Sequence, residues 1–128
     1  MDLVVSQKMI TIIDESVILR YLLNDDKKKA KQAAAIISDG HAYSYPEIFA
    51  RVAVTLRDVY GVPRSLVSEA LLNLLDDIRV SEEDIVRYAT RLFGASMLDY
   101  IDCLLVARNH LYSHEIVSFD KPLMKNMM

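Results

Sequence analysis

Apolar residues along this chain follow two spacings, and each spacing predicts a different kind of element. Short runs rich in β-branched residues predict strands, whereas apolar positions that recur every three or four residues predict amphipathic helices. The predicted strands are Ile10 to Asp14, His41 to Tyr45, a brief strand within Asp76 to Val80, and Glu115 to Asp120. Only three glycines and three prolines interrupt the pattern, so the loops between elements are expected to be short.

Helices are predicted between these strands. Several begin at recognisable signals: Ser16 as an N-cap, Pro46 and Pro63 in a first helical turn, and Ser81 with Asp84 in an arrangement similar to a capping box. The predicted helices are Val17 to Leu23, Lys27 to Ser38, Pro46 to about Val59, Pro63 to about Leu75, Ser81 to about Phe93, and Leu98 to Tyr112. Strands separated by helices imply crossover connections, so the predicted fold is a three-layer α/β/α sandwich with a short, mostly parallel central sheet.

Composition and charge narrow the functional classes. The chain is 52% hydrophobic and 26% charged, as expected of a folded domain, and its net charge of −3 gives no overall attraction to nucleic acid. Its one cysteine, Cys103, cannot form an internal disulfide and is interpreted as a packing residue. No apolar run has the length of a membrane span, and the first residues do not resemble a secretory signal. We therefore expect a cytoplasmic protein without membrane contact.

Four aspartates are the best candidates for chemistry. Asp14 and Asp120 end the first and last predicted strands, and parallel strands would bring them to one rim of the sheet. Asp99 and Asp102 lie three positions apart near the start of one predicted helix and share a face. Facing carboxylates repel one another unless a cation neutralises them, and a cluster of hard oxygen ligands suits Mg²⁺ or Mn²⁺. Helix or turn capping is the alternative role for Asp14, Asp99 and Asp120.

Four blocks of the sequence resemble the successive blocks of the PIN-domain family, and particularly the VapC-type toxins of bacterial toxin–antitoxin pairs. The blocks are ITIIDESVILRYLLNDD at 10–26, PEIFARVAVTLRDVYGV at 46–62, LDYIDCLLVA at 98–107 and VSFD at 117–120. The similarity extends from about Met9 to Met124, so residues 1–8 are interpreted as an N-terminal extension and residues 9–128 as a PIN-like domain.

The resemblance implies a metal-dependent endoribonuclease that cleaves RNA phosphodiester bonds. In that family, acidic side chains hold Mg²⁺ or Mn²⁺, which activates water and offsets charge in the transition state. By position, Asp14, Asp102 and Asp120 match acidic catalytic and metal-binding residues, and Asp99 matches a frequently acidic neighbour that supports the metal site. The resemblance also implies an RNA substrate, an antitoxin partner and a homodimer.

The second acidic position departs from the family pattern, because Arg51 stands where the family has a glutamate. A cation there removes a ligand and repels the metal; a unit-charge interaction at ~4 Å and an effective dielectric of ~20 is about 4 kcal/mol. One alternative is that Arg51 bridges Asp14 and Asp102 in a bidentate salt bridge, and another is that the alignment is shifted by one helical turn and Arg51 is a solvated helix residue. Glu47, one helical turn earlier, and Glu15, beside Asp14, are alternative sources of the missing carboxylate.

Two smaller departures lie beside the aspartates. Ser16 follows the first strand where the family commonly has asparagine, and Ser118 replaces a frequent threonine near Asp120. Together with Arg51, they leave two functions open: a VapC-like ribonuclease with weakened activity, or a catalytically inactive PIN-fold module that binds protein or RNA. The lysines between positions 27 and 31 are candidate phosphate contacts, with a solvated helix face as the alternative.

Overall fold

Residues 10–128 are described by the computed structural model, and they form an α/β fold with a parallel sheet. Strands β1 (Thr11–Ile12), β2 (Ala42–Ser44) and β3 (Arg79–Val80) are arranged in that order across the sheet. Thr11 is opposite Ala42, and Tyr43 is opposite Arg79. The helices in the described part of the chain are α1 (Glu15–Leu23), α2 (Lys27–Ser38), α3 (Pro46–Asp58), α4 (Arg64–Leu74), α5 (Glu83–Ala95), α6 (Tyr100–Tyr112) and α7 (Lys121–Met124). This order confirms the α/β class and is compatible with three layers.

The helix faces form a single core around the short sheet. Its largest fully buried side chains include Tyr100, Phe49 and Phe93, from three different helices. The Tyr100 hydroxyl and Thr90 Oγ1 are 2.6 Å apart, so the polar end of the largest core residue is hydrogen-bonded. Burial of these aromatic groups and their aliphatic neighbours supplies the main driving force for folding. The predicted extension at residues 1–8 lies outside the described residues.

The predicted strand from Glu115 to Asp120 is wrong. Residues 115–119 form neither strand nor helix, and Val117 and Phe119 are exposed. Ser113 adopts a left-handed conformation after α6, and Asp120 begins the short helix α7. Local β-propensity does not make a strand without a neighbouring backbone to bond. The described sheet consequently has β1 at one edge.

Strand β1 is shorter and more exposed than its sequence indicates. Ile13 is buried, but Thr11 and Ile12 are exposed, in contrast to the predicted buried strand from Ile10 to Asp14. The backbone N–H groups of Thr11 and Ile13 donate to the carbonyls of His41 and Tyr43, all on the β2 side. The carbonyl of Ile13 also accepts a hydrogen bond from the buried hydroxyl of Ser44. Together these bonds fix the point at which the chain turns into α1 and thereby position Asp14.

Two predicted helix starts are also corrected. Asp14 rather than Ser16 is the N-cap of α1. Glu82 precedes α5 in a left-handed conformation without a side-chain capping bond, so Ser81 does not form the predicted capping box. Helix α5 also continues through Gly94, where a Cβ would lie only 2.6 Å from the Cβ of Ser68. Close packing against α4, rather than a helix end, is therefore the role of this glycine.

Candidate functional site

Asp14 is held at the amino end of α1 by its capping interactions. Its Oδ1 accepts hydrogen bonds from the Ser16 backbone N–H at 2.9 Å, the Ser16 hydroxyl at 2.6 Å and the Val17 N–H at 3.3 Å. The pKa of Asp14 is lowered, chiefly by the hydrogen bond from the Ser16 hydroxyl. Desolvation acts in the opposite direction, and the hydrogen bonds from the backbone N–H groups lower the pKa further. Asp14 therefore caps α1, which was the alternative to a metal-binding role in the sequence analysis. The hydrogen bond from Ser16 stabilises its ionised form.

Asp99 and Asp102 stand at the beginning of α6. Asp99 occupies the N-cap position without a side-chain capping bond, and its Oδ1 lies 3.5 Å from Nη1 of Arg57. Asp102 is half-buried on the first turn. Burial is the largest cause that raises the pKa of Asp102, and the charges of Asp99 and Asp120 raise it further. The structure thus places Asp102 in the electrostatic field of two other carboxylates.

Asp120, near the end of the sequence, is the second carboxylate whose charge acts on Asp102. It caps α7, with Oδ1 accepting from the Leu123 N–H at 3.1 Å, while its own N–H donates to the Ser118 hydroxyl at 3.0 Å. Ser118 therefore fixes the backbone next to Asp120. The charge of Asp120 contributes to the raised pKa of Asp102, and Asp120 lies at a helix start and not at a strand end.

Arg51 does not bridge Asp14 and Asp102. Its Nη1 lies 3.1 Å from Oε2 of Glu15, in the first turn of α1, and its side chain is 71% exposed. The pair lies in an open groove of about 430 Å³ between α1, α3 and α6. Glu47, Ala50, Val54, Thr55 and Ile101 complete the lining of this groove. Glu15 and Glu47 thus both flank Arg51, and Glu15 is the one that forms an ion pair with it.

The described residues do not fit a resident Mg²⁺ or Mn²⁺ as arranged. Between residues 10 and 128 there is no group of three or more His, Cys, Asp or Glu side chains that could hold one ion. Asp14 and Asp120 use oxygens for helix capping, and Glu15 is paired with Arg51. A metal at this face would have to rearrange these contacts.

Cys103 is buried on α6, next to Asp102 in the sequence. Burial raises the pKa of its thiol to about 11, which disfavours the nucleophilic thiolate. Cys103 is fully buried within the hydrophobic core, as expected of a packing residue.

A second hollow, between α1 and α2, was not identified from the sequence. It has a volume of about 440 Å³ and shares Glu15 with the groove around Arg51. Lys29 and Gln32 of α2 line this hollow. Their spacing of three residues on a predicted helix indicates that they share one helix face, and this was the feature of the sequence that could have pointed to the hollow. The lysine run was recognised as a group, but sequence alone did not distinguish Lys29 from its neighbours.

No protein-family model, curated protein or solved structure gives a significant match to the chain. Over residues 10–128, none of the helices combines the length and the apolar character that crossing a membrane requires.

Proposed function

We propose that this chain is a PIN-like domain of the VapC type that binds single-stranded RNA in the groove around Arg51 and, as folded here, does not cleave it. The observation that carries the proposal is the Arg51–Glu15 ion pair, which puts an exposed guanidinium where the resemblance expects a metal-binding carboxylate. We also propose that the fold is the three-layer sandwich of PIN-like domains. The α/β class and the parallel sheet support this part of the proposal.

Arg51 gives the groove a group that suits a phosphate and repels a metal ion. A guanidinium can donate two parallel hydrogen bonds to a phosphate, and Arg51 is exposed enough to do so. Val54 and Ile101 are exposed apolar residues on the same lining, which can contact a base or a ribose. Glu15 offsets the charge on Arg51 and Glu47 adds a negative charge to the same lining, so we expect modest affinity and, with a single arginine in contact, a small salt dependence.

Metal-dependent RNA cleavage is the second candidate, and one observation favours it. The pKa of Asp102 is raised by burial and then by the charges of Asp99 and Asp120, and a divalent cation would relieve that repulsion. Under this candidate Asp102, Asp99 and Asp120 would have to rearrange before they could hold Mg²⁺ or Mn²⁺, because the described residues do not fit the ion as arranged. An antitoxin partner, a homodimer and a cytoplasmic location belong to this candidate as expectations of the resemblance.

One experiment separates the two candidates. Labelled single-stranded RNA is titrated with the purified protein in EDTA and in millimolar Mn²⁺, and the RNA is then examined on a denaturing gel. We expect binding under both conditions, with intact RNA. Arg51→Ala should weaken binding by about 1.5–3 kcal/mol if its guanidinium contacts a phosphate, whereas Arg91→Ala, an equal loss of charge on the exposed part of α5, should have a smaller effect.

The opposing outcomes are equally clear. If the RNA does not bind in EDTA, or if Arg51→Ala and Arg91→Ala weaken binding equally, the binding site is assigned wrongly. If the RNA is cut only with Mn²⁺ and cutting is lost in Asp102→Asn, the second candidate replaces the first. Cleavage that survives Asp102→Asn would point to a contaminating nuclease.

A further inference from the structure

The hollow between α1 and α2 has the dimensions and the lining of a small-molecule site. Its volume of about 440 Å³ lies within the range of roughly 300–1,000 Å³ that is typical of such sites. Helix α1 contributes Glu15, Ser16, Val17, Leu19 and Arg20, and helix α2 contributes Lys29, Gln32, Ala33 and Ile36. The α2 residues follow the spacing i, i+3, i+4, i+7 and therefore form one face of that helix.

Four of the residues that line this hollow are apolar. Leu19 and Ala33 are buried, Val17 is half-buried and Ile36 is exposed. A flat, weakly polar group can replace water there and bury apolar area on both helices. A nucleobase is such a group, since every base has an apolar face.

The polar groups at the rim match the remainder of a nucleotide. Within residues 10–128, the Gln32 amide makes no hydrogen bond and Lys29 makes no ion pair. An amide offers a donor and an acceptor side by side, as the edge of a base requires, and an ammonium group suits a phosphate. Arg20 is fixed by Tyr60, at 3.2 Å from Nη2, and by Asp25, at 3.2 Å from Nε.

Charge distinguishes the expected occupant from a peptide. Among the ionisable residues of the described lining, Lys29 makes no ion pair, whereas the carboxylate of Glu15 is paired with Arg51 and the guanidinium of Arg20 is paired with Asp25. The unpaired charge of the lining is therefore positive and suits an anionic group such as a phosphate.

From this lining we infer that the hollow between α1 and α2 receives one base of a bound RNA strand, with Gln32 at the base edge and Lys29 at the adjoining phosphate. The inference rests on the proposed function, because the same strand would continue past Glu15 into the groove around Arg51. It adds hydrogen-bonding recognition of a base edge to a groove whose lining offers a phosphate contact from Arg51 and apolar contacts from Val54 and Ile101.

Lys31 provides a matched control for Lys29. Both are exposed lysines of α2 and their removal changes the net charge equally, but Lys31 is two positions away, on the opposite side of the helix, and does not line the hollow. We would measure the affinity of single-stranded RNA for the wild type and for Lys29→Ala, Lys31→Ala and Gln32→Ala. An RNA with one abasic nucleotide serves as a second ligand, and thermal melts check that each variant is folded.

The expected result is a loss of about tenfold for Gln32→Ala, the value of one good base contact, and a larger loss for Lys29→Ala than for Lys31→Ala. The loss in Gln32→Ala should largely disappear when the base that enters the hollow is missing. Equal losses for the two lysine variants with an unchanged Gln32→Ala would overturn the base site and leave the proposed function intact. Failure of the wild type to bind RNA would overturn both.

Discussion

Arg51 on α3 and Glu15 at the start of α1 form an ion pair, with Nη1 and Oε2 separated by 3.1 Å. Arg51 is 71% exposed in this pair and Glu15 is 25% exposed, so water screens much of the attraction. Pairs of this kind contribute about 0–1 kcal/mol to stability. The importance of the pair is therefore chemical: Arg51 neutralises one of the two carboxylates of the groove and leaves Glu47 as its other ionisable lining residue.

Replacing Arg51 by glutamate should convert the groove into a cation site. Arg51→Glu removes the guanidinium and leaves three carboxylates around the groove, at positions 15, 47 and 51, which repel one another in the absence of metal. We expect a slightly lower melting temperature in EDTA and a marked increase in millimolar Mn²⁺; saturation at about 100 times the dissociation constant corresponds to about 2.7 kcal/mol. Differential scanning fluorimetry measures both effects.

Arg91→Glu is the control for this prediction, because it makes the same charge change at another exposed position. It should show no comparable response to Mn²⁺. An equal response of the wild type and Arg51→Glu would show that Arg51 does not keep metal out of the groove.

Asp14 should matter for stability through its capping bonds. Asp14→Ala removes the acceptor for Ser16 and Val17 and should cost about 1 kcal/mol, whereas Asp14→Asn keeps a capping oxygen and should cost less. The pKa of Asp14 is lowered from 3.8, chiefly by the Ser16 hydroxyl. The stabilisation is therefore complete above pH 3.8 and is lost as the pH falls through the lower pKa of the folded state.

Urea unfolding at neutral pH and in acid tests this prediction. The difference between the wild type and Asp14→Ala should shrink in acid. A cost for Asp14→Asn equal to that for Asp14→Ala would indicate that charge, and not the capping geometry, is what stabilises α1.

The sequence predicted the helices well because their signals are local. Pro46 at a first turn and apolar residues at three- and four-residue spacing fix α3 without reference to the rest of the chain. The choice between Asp14 and Ser16 as N-cap was wrong because both have a side-chain oxygen at the right place in the sequence. Only the backbone turn after Ile13, fixed by its bond to Tyr43, decides between them.

Long-range contacts were less predictable. Glu115 to Asp120 has the composition of a strand, but pairing depends on whether another strand presents its backbone alongside, which composition does not encode. The predicted salt bridge from Arg51 to Asp14 and Asp102 was wrong for a related reason. A long, exposed side chain reaches several carboxylates, and the relative placement of α1 and α3 determines that Glu15 is the partner.

The buried hydrogen bond between Tyr100 and Thr90 should stabilise the start of α6. Tyr100→Phe leaves the Thr90 hydroxyl, itself fully buried, without this partner and should cost about 1–3 kcal/mol. The double variant with Thr90→Val removes both polar groups and should recover part of that loss, since the two residues interact directly. Chemical denaturation of the wild type, both single variants and the double variant measures this coupling; additive costs would contradict it.

Asp102 should destabilise the fold at neutral pH, in contrast to Asp14. Burial and the nearby charges of Asp99 and Asp120 raise its pKa in the folded state above the ordinary value of 3.8. The folded protein therefore binds this proton more tightly than the unfolded chain, and stability falls as the pH rises from 3.8 through the raised pKa. Asp102→Asn, which stays neutral, should be more stable than the wild type above that range, with the difference disappearing in acid.

Asp58→Asn is the control of opposite sign, because a hydrogen bond from Arg57 lowers the pKa of Asp58. Unfolding curves measured across this pH range would contradict the assignment if both variants changed stability in the same direction.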